Sequence, residues 1–239
     1  MMNLSLSQQA LAEILLEAKI EAKVLRRQSD GNGGFKFEEV LRETHPFDFP
    51  VHPGEFALKI HDSKPDAPLS PFYINLRNLP EELLNLVAKT IDEVTPKNGA
   101  DFCTGIPRAG IPLAIEYSKV SGIPFIDILE KTGEAGSTRK IEARGKSEMG
   151  MNKKIIIVDD LVTHAGTKLE AIKALESLGF EVIGVALLFD REQGGAQQLR
   201  EMGYNVFSAL KLSDTLDFYL EKGKINEERF RNIKDYLKS

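Results

Sequence analysis

Two stretches of this chain, Ile155-Ile156-Ile157-Val158 and residues 182–189 (VIGVALLF), are apolar at almost every position over a length suited to a strand. A strand with one wet face alternates apolar and polar side chains. A strand apolar on both faces belongs to a parallel sheet covered by helices on either side. The neighbouring segments supply such covers. From residue 100 the chain reads DFCTGIP, RAGIPLAIEYSKVSG, IPFIDIL, KKIIIVDDLV, THAGTKLEAIKALESLG, FEVIGVALLFD, a polar segment 192–202 and YNVFSAL. That order predicts strand, helix, strand, strand, helix, strand, helix, strand. The fold class is therefore α/β, a parallel sheet flanked by helices over residues 75–216, with an N-terminal extension (1–74) and a C-terminal helix (217–239).

In the extension, Leu11, Ile14, Leu15, Ala18, Ala22 and Leu25 recur at helical spacing and predict one helix over residues 5–27, with Ser5 or Ser7 as N-cap. SDGNGG (29–34) reads as a flexible break. Six prolines between residues 45 and 71 predict loops and short strands. FYINLRN (72–78) alternates like a strand, PEELLNLVAKTIDEV (80–94) like a helix with Pro80 at its start, and residues 225–239 read as a terminal helix.

Composition narrows the function classes. The 239 residues are 42% hydrophobic and 28% charged with a net charge of −5, a poor match to a general nucleic-acid or membrane-surface binder. The lone Cys103 rules out an intramolecular disulfide and a cysteine-built zinc site, and the four histidines are scattered. No apolar run approaches the ~18 residues of a membrane span. The N-terminus lacks a basic region and a small-residue cleavage site, so the cytoplasm is the expected compartment.

The segment that carries the most chemistry runs from Ile155 to Thr167, IIIVDDLVTHAGT. A buried strand ends in two acids, Asp159 and Asp160. A loop of small residues follows, Thr163, His164, Ala165, Gly166 and Thr167, and then a helix. Ligands of open α/β sheets sit beyond the carboxyl ends of the strands. Small residues let backbone N–H groups close on a phosphate, and the helix N-terminus adds a favourable dipole. Two carboxylates would repel a phosphate, so they suit ribose hydroxyls or a cation. An ordinary strand-to-helix turn with acids near a helix start would share the pattern without the chemistry.

This segment resembles the thirteen-residue signature of the type I phosphoribosyltransferases, which bind 5-phosphoribosyl-1-pyrophosphate (PRPP). The resemblance spans residues 54–216 and is nearest the orotate phosphoribosyltransferases. It implies that Asp159 and Asp160 meet the ribose hydroxyls and that residues 163–167 cradle the 5′-phosphate. His164 departs from the family's usual Ser or Thr. TGIPRAGIP (104–112) is similar to the family's pyrophosphate loop and points Arg108 at pyrophosphate. DREQGG (190–195) is similar to the orotate-type segment, in which Arg191 would pair with the orotate carboxylate; the planar guanidinium suits that bidentate task. GEFALK (54–59) and SPFYINLR (70–77) resemble a segment that brings Lys59 into the site and sets Phe72 and Tyr73 beside the base. Here about ten extra residues separate the halves, and Asn75 replaces the usual Asp.

Residues 131–154 hold seven basic and three acidic residues, a net +4, with four glycines and few large apolar residues. Such a segment is expected to be a mobile basic loop that closes over an anionic substrate. It resembles the family's catalytic loop through Lys131, Arg139 and Lys140, although the second lysine and the histidine of that loop have no counterpart. The resemblance implies transfer of phosphoribose from PRPP to orotate, Mg²⁺ as cofactor with Asp159 and Asp160 as the acids near it, a homodimer, and residues 1–74 contributing to a hood over the base. Two alternatives stand beside it: another nucleobase as acceptor, or a PRPP-binding regulator without catalysis.

Overall fold

The computed structural model describes residues 3–52, 54–57, 61, 64–77, 79–133, 140–146 and 148–238. In chain order the elements are α1 (Leu6–Glu17), β1 (Ile20–Ser29), β2 (Phe35–Thr44), β3 (Phe47–Asp48), β4 (Tyr73–Ile74), α2 (Glu81–Val94), β5 (Phe102–Gly105), α3 (Gly110–Ser121), β6 (Leu129–Thr132), β7 (Lys140–Ala143), β8 (Lys154–Val162), α4 (Gly166–Ser177), β9 (Glu181–Asp190), α5 (Gly195–Glu201), β10 (Val206–Lys211), α6 (Leu212–Glu221) and α7 (Glu227–Tyr236). The chain divides into two compact units, residues 1–11 with 80–215, and residues 12–79 with 216–239.

The first unit is the α/β core. Its four-stranded sheet has the order β10-β9-β8-β5, and every pairing is parallel. Because successive strand residues face opposite ways, Ile155 and Ile157 of β8 and Val185 and Leu187 of β9 share one face. There they pack against Ala171, Ile172 and Leu175 of α4 and Leu199 of α5. Helices α2 and α3 pack on each other and on strands of the sheet. The all-apolar runs are thus explained: Ile155 to Val158 are each 1% exposed or less.

Three expectations in this unit change. IPFIDIL is not a full strand: Phe125 makes one bridge to Cys103, and regular pairing begins only at Leu129. The polar helix starts at Gly195, because residues 190–194 form a tight loop. The segment 131–154 is not a free loop along its length. β6 and β7 form an antiparallel ribbon, Ile141 is buried in the core, and its N–H donates to Glu170 Oε2 of α4 at 3.0 Å. Further on, the Gly150 N–H donates to Leu178 O at 2.8 Å. Ile141 supplies the burial that the charge count concealed.

The second unit holds an antiparallel hairpin of two ten-residue strands, β1 with β2. The expected helix over 5–27 therefore ends at Glu17. Ile20, Ala22 and Val24 are buried while Glu21 and Lys23 are exposed, a period of two that pairing with β2 satisfies. SDGNGG is the hairpin's turn, where Asp30 Oδ1 accepts from the N–H groups of Asn32 and Gly34, both at 2.8 Å. These bonds hold the Asp30 carboxyl below its ordinary value. Among the described residues of the expected 72–78 strand, Tyr73 and Ile74 alone pair, with β3. The unit's core is aromatic: Phe47 stacks on Phe72 at 5.9 Å and meets the Tyr219 edge at 5.3 Å. Tyr219 Oη donates to Ala12 O at 2.6 Å, and its burial raises the phenol's pKa. The chain's end is two helices, α6 and α7, the second capped by the Asn226 side chain. No helix among the described residues is long and apolar enough to cross a membrane.

Candidate active site

In a parallel sheet all strands end at the same edge. Here Val162, Asp190 and Lys211 stand at one level across β8, β9 and β10, and the loops leaving β5, β8 and β9 gather there. Three contacts lock them together. The Ile106 N–H donates to Val158 O at 3.2 Å, the Arg191 N–H to Val162 O at 3.1 Å, and the Gly195 N–H to Thr163 O at 3.1 Å. The approach leaves no room for side chains. A Cβ on Gly110 would lie 2.5 Å from Val158 O, and one on Gly195 would lie 2.7 Å from Val162 Cγ2 and 2.8 Å from Thr163 O. The glycines in these two loops are there so that one backbone can touch another.

Both long helices that start at this edge begin without a side-chain cap: α3 at Ala109 and α4 at Ala165. The first N–H groups of a helix have no intrahelical partner, and they carry the positive end of the helix dipole. An anion over the β8–α4 loop would meet such donors directly. Thr163 is half-buried, Ala165 is buried, and His164, Gly166 and Thr167 are exposed.

The β9–α5 loop is held from several sides. Asp190 Oδ1 accepts the Glu192 N–H at 2.8 Å. The Glu192 carboxylate in turn takes the Ser213 N–H at 2.5 Å and its hydroxyl at 2.9 Å. Burial raises the Asp190 pKa, against the lowering effect of the Glu192 N–H. Arg191 is half-buried at the centre of this loop.

Below the β5–α3 loop lies a pocket of about 280 Å³ that brings Arg108 and Lys131 together. Arg144 lines it too, with Asp127 and Glu130; Arg144 Nη2 lies 3.1 Å from Asp127 Oδ2, and its Nε lies 3.9 Å from Glu130 Oε2. Three cations against two carboxylates leave the pocket positive. Arg144 is absent from the residues singled out by the sequence. Its mark was being a basic residue just past the Lys140 pair, on a segment that looked unstructured.

The profile of the phosphoribosyl transferase domain matches residues 78–208, more than half of the chain. This chain belongs to the phosphoribosyltransferase family. It is 32% identical over 171 residues to an orotate phosphoribosyltransferase of Pyrobaculum islandicum, covering 70% of this chain and 86% of that protein. A second orotate phosphoribosyltransferase, from Sulfurisphaera tokodaii, is 33% identical over 174 residues, covering 71% and 85%. Among solved structures, the UMP synthase of Leishmania donovani superposes with a TM-score of 0.66 at 25% identity, covering 96% of this chain. The chain spans 42% of that longer protein.

For a phosphoribosyltransferase, the expected residues fall into distinct groups. Asp159 and Asp160 lie near the end of β8, Thr163 to Thr167 on the turn into α4 and its first residues, and Arg108 and Arg191 on the loops after β5 and β9, all at one sheet edge. Lys131 and Lys140 lie on the neighbouring ribbon, on β6 and β7. Tyr73 and Phe72 belong to the second unit. Phe72 is fully buried, stacked on Phe47 and edge-on to Tyr236, so its ring is core and not a ligand contact. Tyr73 is the aromatic that remains half-exposed, stacked on Phe56 at 4.8 Å, and burial raises its phenol pKa. Lys59 and Arg139 lie outside the described residues.

The two acids also separate. Asp159 is 4% exposed, and its Oδ2 lies 2.6 Å from Lys168 Nζ. Asp160 is half-buried, with Oδ1 accepting the Leu161 N–H at 2.7 Å. Lys168 escaped the sequence reading, yet it left a signal: a lysine in the first turn of α4 sets a positive charge at the positive end of the dipole and so needs an acid nearby.

Proposed function

We propose that this phosphoribosyltransferase is an orotate phosphoribosyltransferase of pyrimidine biosynthesis, converting PRPP and orotate into orotidine 5′-phosphate and pyrophosphate. The observation that carries the reading is the sheet edge. The uncapped α3 and α4 starts, Asp160 near the end of β8 and Arg191 on the loop after β9 stand at one edge, where a phosphate, a ribose and a carboxylate-bearing base would find their partners.

The bond from C1′ to the pyrophosphate oxygen breaks and a bond from C1′ to the orotate ring nitrogen forms. Cationic character grows at C1′ while negative charge leaves on pyrophosphate. The N–H groups of residues 163–167 hold the 5′-phosphate, and the Asp160 carboxylate accepts from the ribose hydroxyls. Arg108 and Lys131, with Lys140 on the same ribbon, stabilise the leaving pyrophosphate, a role for preorganised charge; Arg139 is assigned to the same task by resemblance alone. Arg191 pairs with the orotate carboxylate, while Lys59 and Tyr73 are assigned to the base by resemblance. The orotate ring nitrogen carries an ionisable N–H whose proton passes to water or to the departing pyrophosphate as the C1′–N bond forms, so the protein needs no strong base.

Mg²⁺ fits this donor set. Among the described residues no group of three acid, His or Cys side chains is placed to hold a metal, and Mg²⁺ is commonly held by one or two carboxylates together with substrate phosphates. Asp160 is the carboxylate that would serve, and the ion would screen the diphosphate charge. A homodimer and a cytoplasmic setting belong to the same proposal.

The test is pyrophosphate release from PRPP with orotate, then with uracil, hypoxanthine and adenine. The expected result is turnover with orotate alone. Turnover with a purine and not with orotate would move the assignment to another base. PRPP binding with no turnover on any base would replace catalysis with regulation.

A further inference from the structure

We propose that Lys168 is a positioning residue that neutralises Asp159 beneath the β8–α4 loop, so that Asp160 alone meets the ribose. The inference rests on the proposed binding of PRPP at this edge. Lys168 Nζ reaches back from α4 to two points on β8. It lies 2.6 Å from Asp159 Oδ2 and donates to Leu161 O at 2.5 Å. The side chains are 8% and 5% exposed. The other carboxylate oxygen is covered as well, since a Cβ on Gly110 would fall 2.9 Å from Asp159 Oδ1. Asp159 thus has one oxygen on an ammonium and the other under the start of α3.

The arrangement resolves a conflict in the sequence. Two carboxylates immediately before a phosphate loop should repel the phosphate. Pairing one of them with a buried ammonium removes a full negative charge from beneath the loop. The same ammonium ties the β8 end to the α4 start, fixing the loop whose N–H groups face the ligand. Asp159 therefore serves as a counter-ion and Asp160 serves as the ligand.

The experiment compares wild type with Asp159→Asn, Lys168→Met, Lys168→Arg and the double variant Asp159→Asn/Lys168→Met. The Kd of ribose 5-phosphate is read by titration calorimetry, and the KM values of PRPP and orotate by initial rates. Lys168→Met should weaken ribose 5-phosphate and raise the PRPP KM roughly tenfold, the effect of one unbalanced charge near the anion. The orotate KM should stay within about twofold, and Lys168→Arg should restore much of the loss. Asp159→Asn should leave ribose 5-phosphate affinity equal or tighter. The double variant, whose neutral pair keeps the fold accessible even where Lys168→Met alone does not fold, should bind ribose 5-phosphate better than Lys168→Met does, or within about threefold of wild type. Weakening of roughly tenfold in both Asp159→Asn and the double variant would show Asp159 holding the ribose itself and overturn the proposal. An equal rise in both KM values for Lys168→Met would reduce Lys168 to a structural lysine and overturn it as well. Absence of orotate turnover in wild type would sink the substrate assignment only, because the ribose 5-phosphate titrations still decide the role of Lys168.

Discussion

On the proposed reading the sheet-edge loops and the β6–β7 ribbon both meet an anionic substrate, yet they are built in opposite ways. At the edge, recognition falls to the backbone. Loops after β5, β8 and β9 are bonded to one another, and Gly110 and Gly195 admit contacts that any Cβ would block. On the ribbon, recognition falls to long side chains. Lys131, Lys140 and Arg144 are exposed, and Arg144 divides its attention between Asp127 and Glu130. Backbone groups cannot be re-aimed, so that region must be right before the ligand arrives. Charged side chains on a short two-stranded ribbon can re-aim, at the entropic cost of ordering them. The contrast suits a reaction in which the 5′-phosphate stays while the pyrophosphate must be stabilised and then released.

The sharpest way to break the comparison is Gly195→Ala. A new Cβ would press on Val162 and on the backbone of Thr163 and His164, and overpacking of this kind costs about 1–3 kcal/mol. Calorimetry should show the melting temperature falling by several degrees, roughly 2–4 °C per kcal/mol for a chain of this size. Turnover should fall about 10²-fold, the scale of an ångström-level misplacement. Full activity in this variant would mean that the edge is not rigidly set.

The matching change on the ribbon is Lys131→Ala. Exposed Lys131 carries little packing, so the melting temperature should stay within about 1 °C. On the proposed reading its charge acts on the leaving group, so kcat should fall roughly 10–100-fold, the worth of a charge-assisted bond of about 1.5–3 kcal/mol. A large stability loss without a kinetic effect would reverse the roles assigned to the two regions.

The same division explains what the sequence made legible. Backbone recognition leaves strong marks, because it demands glycines, small residues and apolar strands in a fixed order; the loops at 104–112 and 155–167 are legible from those, and the loop at 190–195 through its resemblance to the family segment. Contacts made at a distance leave few. Lys168 and Asp159 are nine positions apart, and only the misfit of a lysine with a helix start hinted at their pairing. Phe72 and Tyr73 are adjacent and alike in type, yet one is core and the other half-exposed, a distinction set by Phe47 and Tyr236 far along the chain. The N-terminal hairpin was missed because Ala18, Ala22 and Leu25 fit a helical period while Ile20, Ala22 and Val24 fit a period of two. Pairing with residues 35–44 decides between them, and pairing partners are invisible to a local pattern.

The smallest effect concerns whether the edge is held by shape or by charge, and Asp190 is the place to ask. Its carboxyl holds the β9–α5 loop by accepting the Glu192 N–H, a bond that a neutral oxygen also makes. Burial raises its pKa above the ordinary 3.8, so the folded protein binds this proton more tightly than the unfolded chain does. As pH climbs from 3.8 to the raised folded value, the unfolded state releases its proton first. Stability attributable to Asp190 must then decline across that window and stay lower above it. Asp190→Asn keeps the acceptor oxygen and removes the charge. Melting temperatures of the two proteins, followed from about pH 3 to 8 and subtracted, cancel the contributions of other carboxylates such as Asp30 and Glu55. The difference should drift in favour of Asn as pH rises through the window and then level off. A difference that moves the other way would mean that the ionised carboxylate itself holds the loop, and that the edge, like the ribbon, depends on charge.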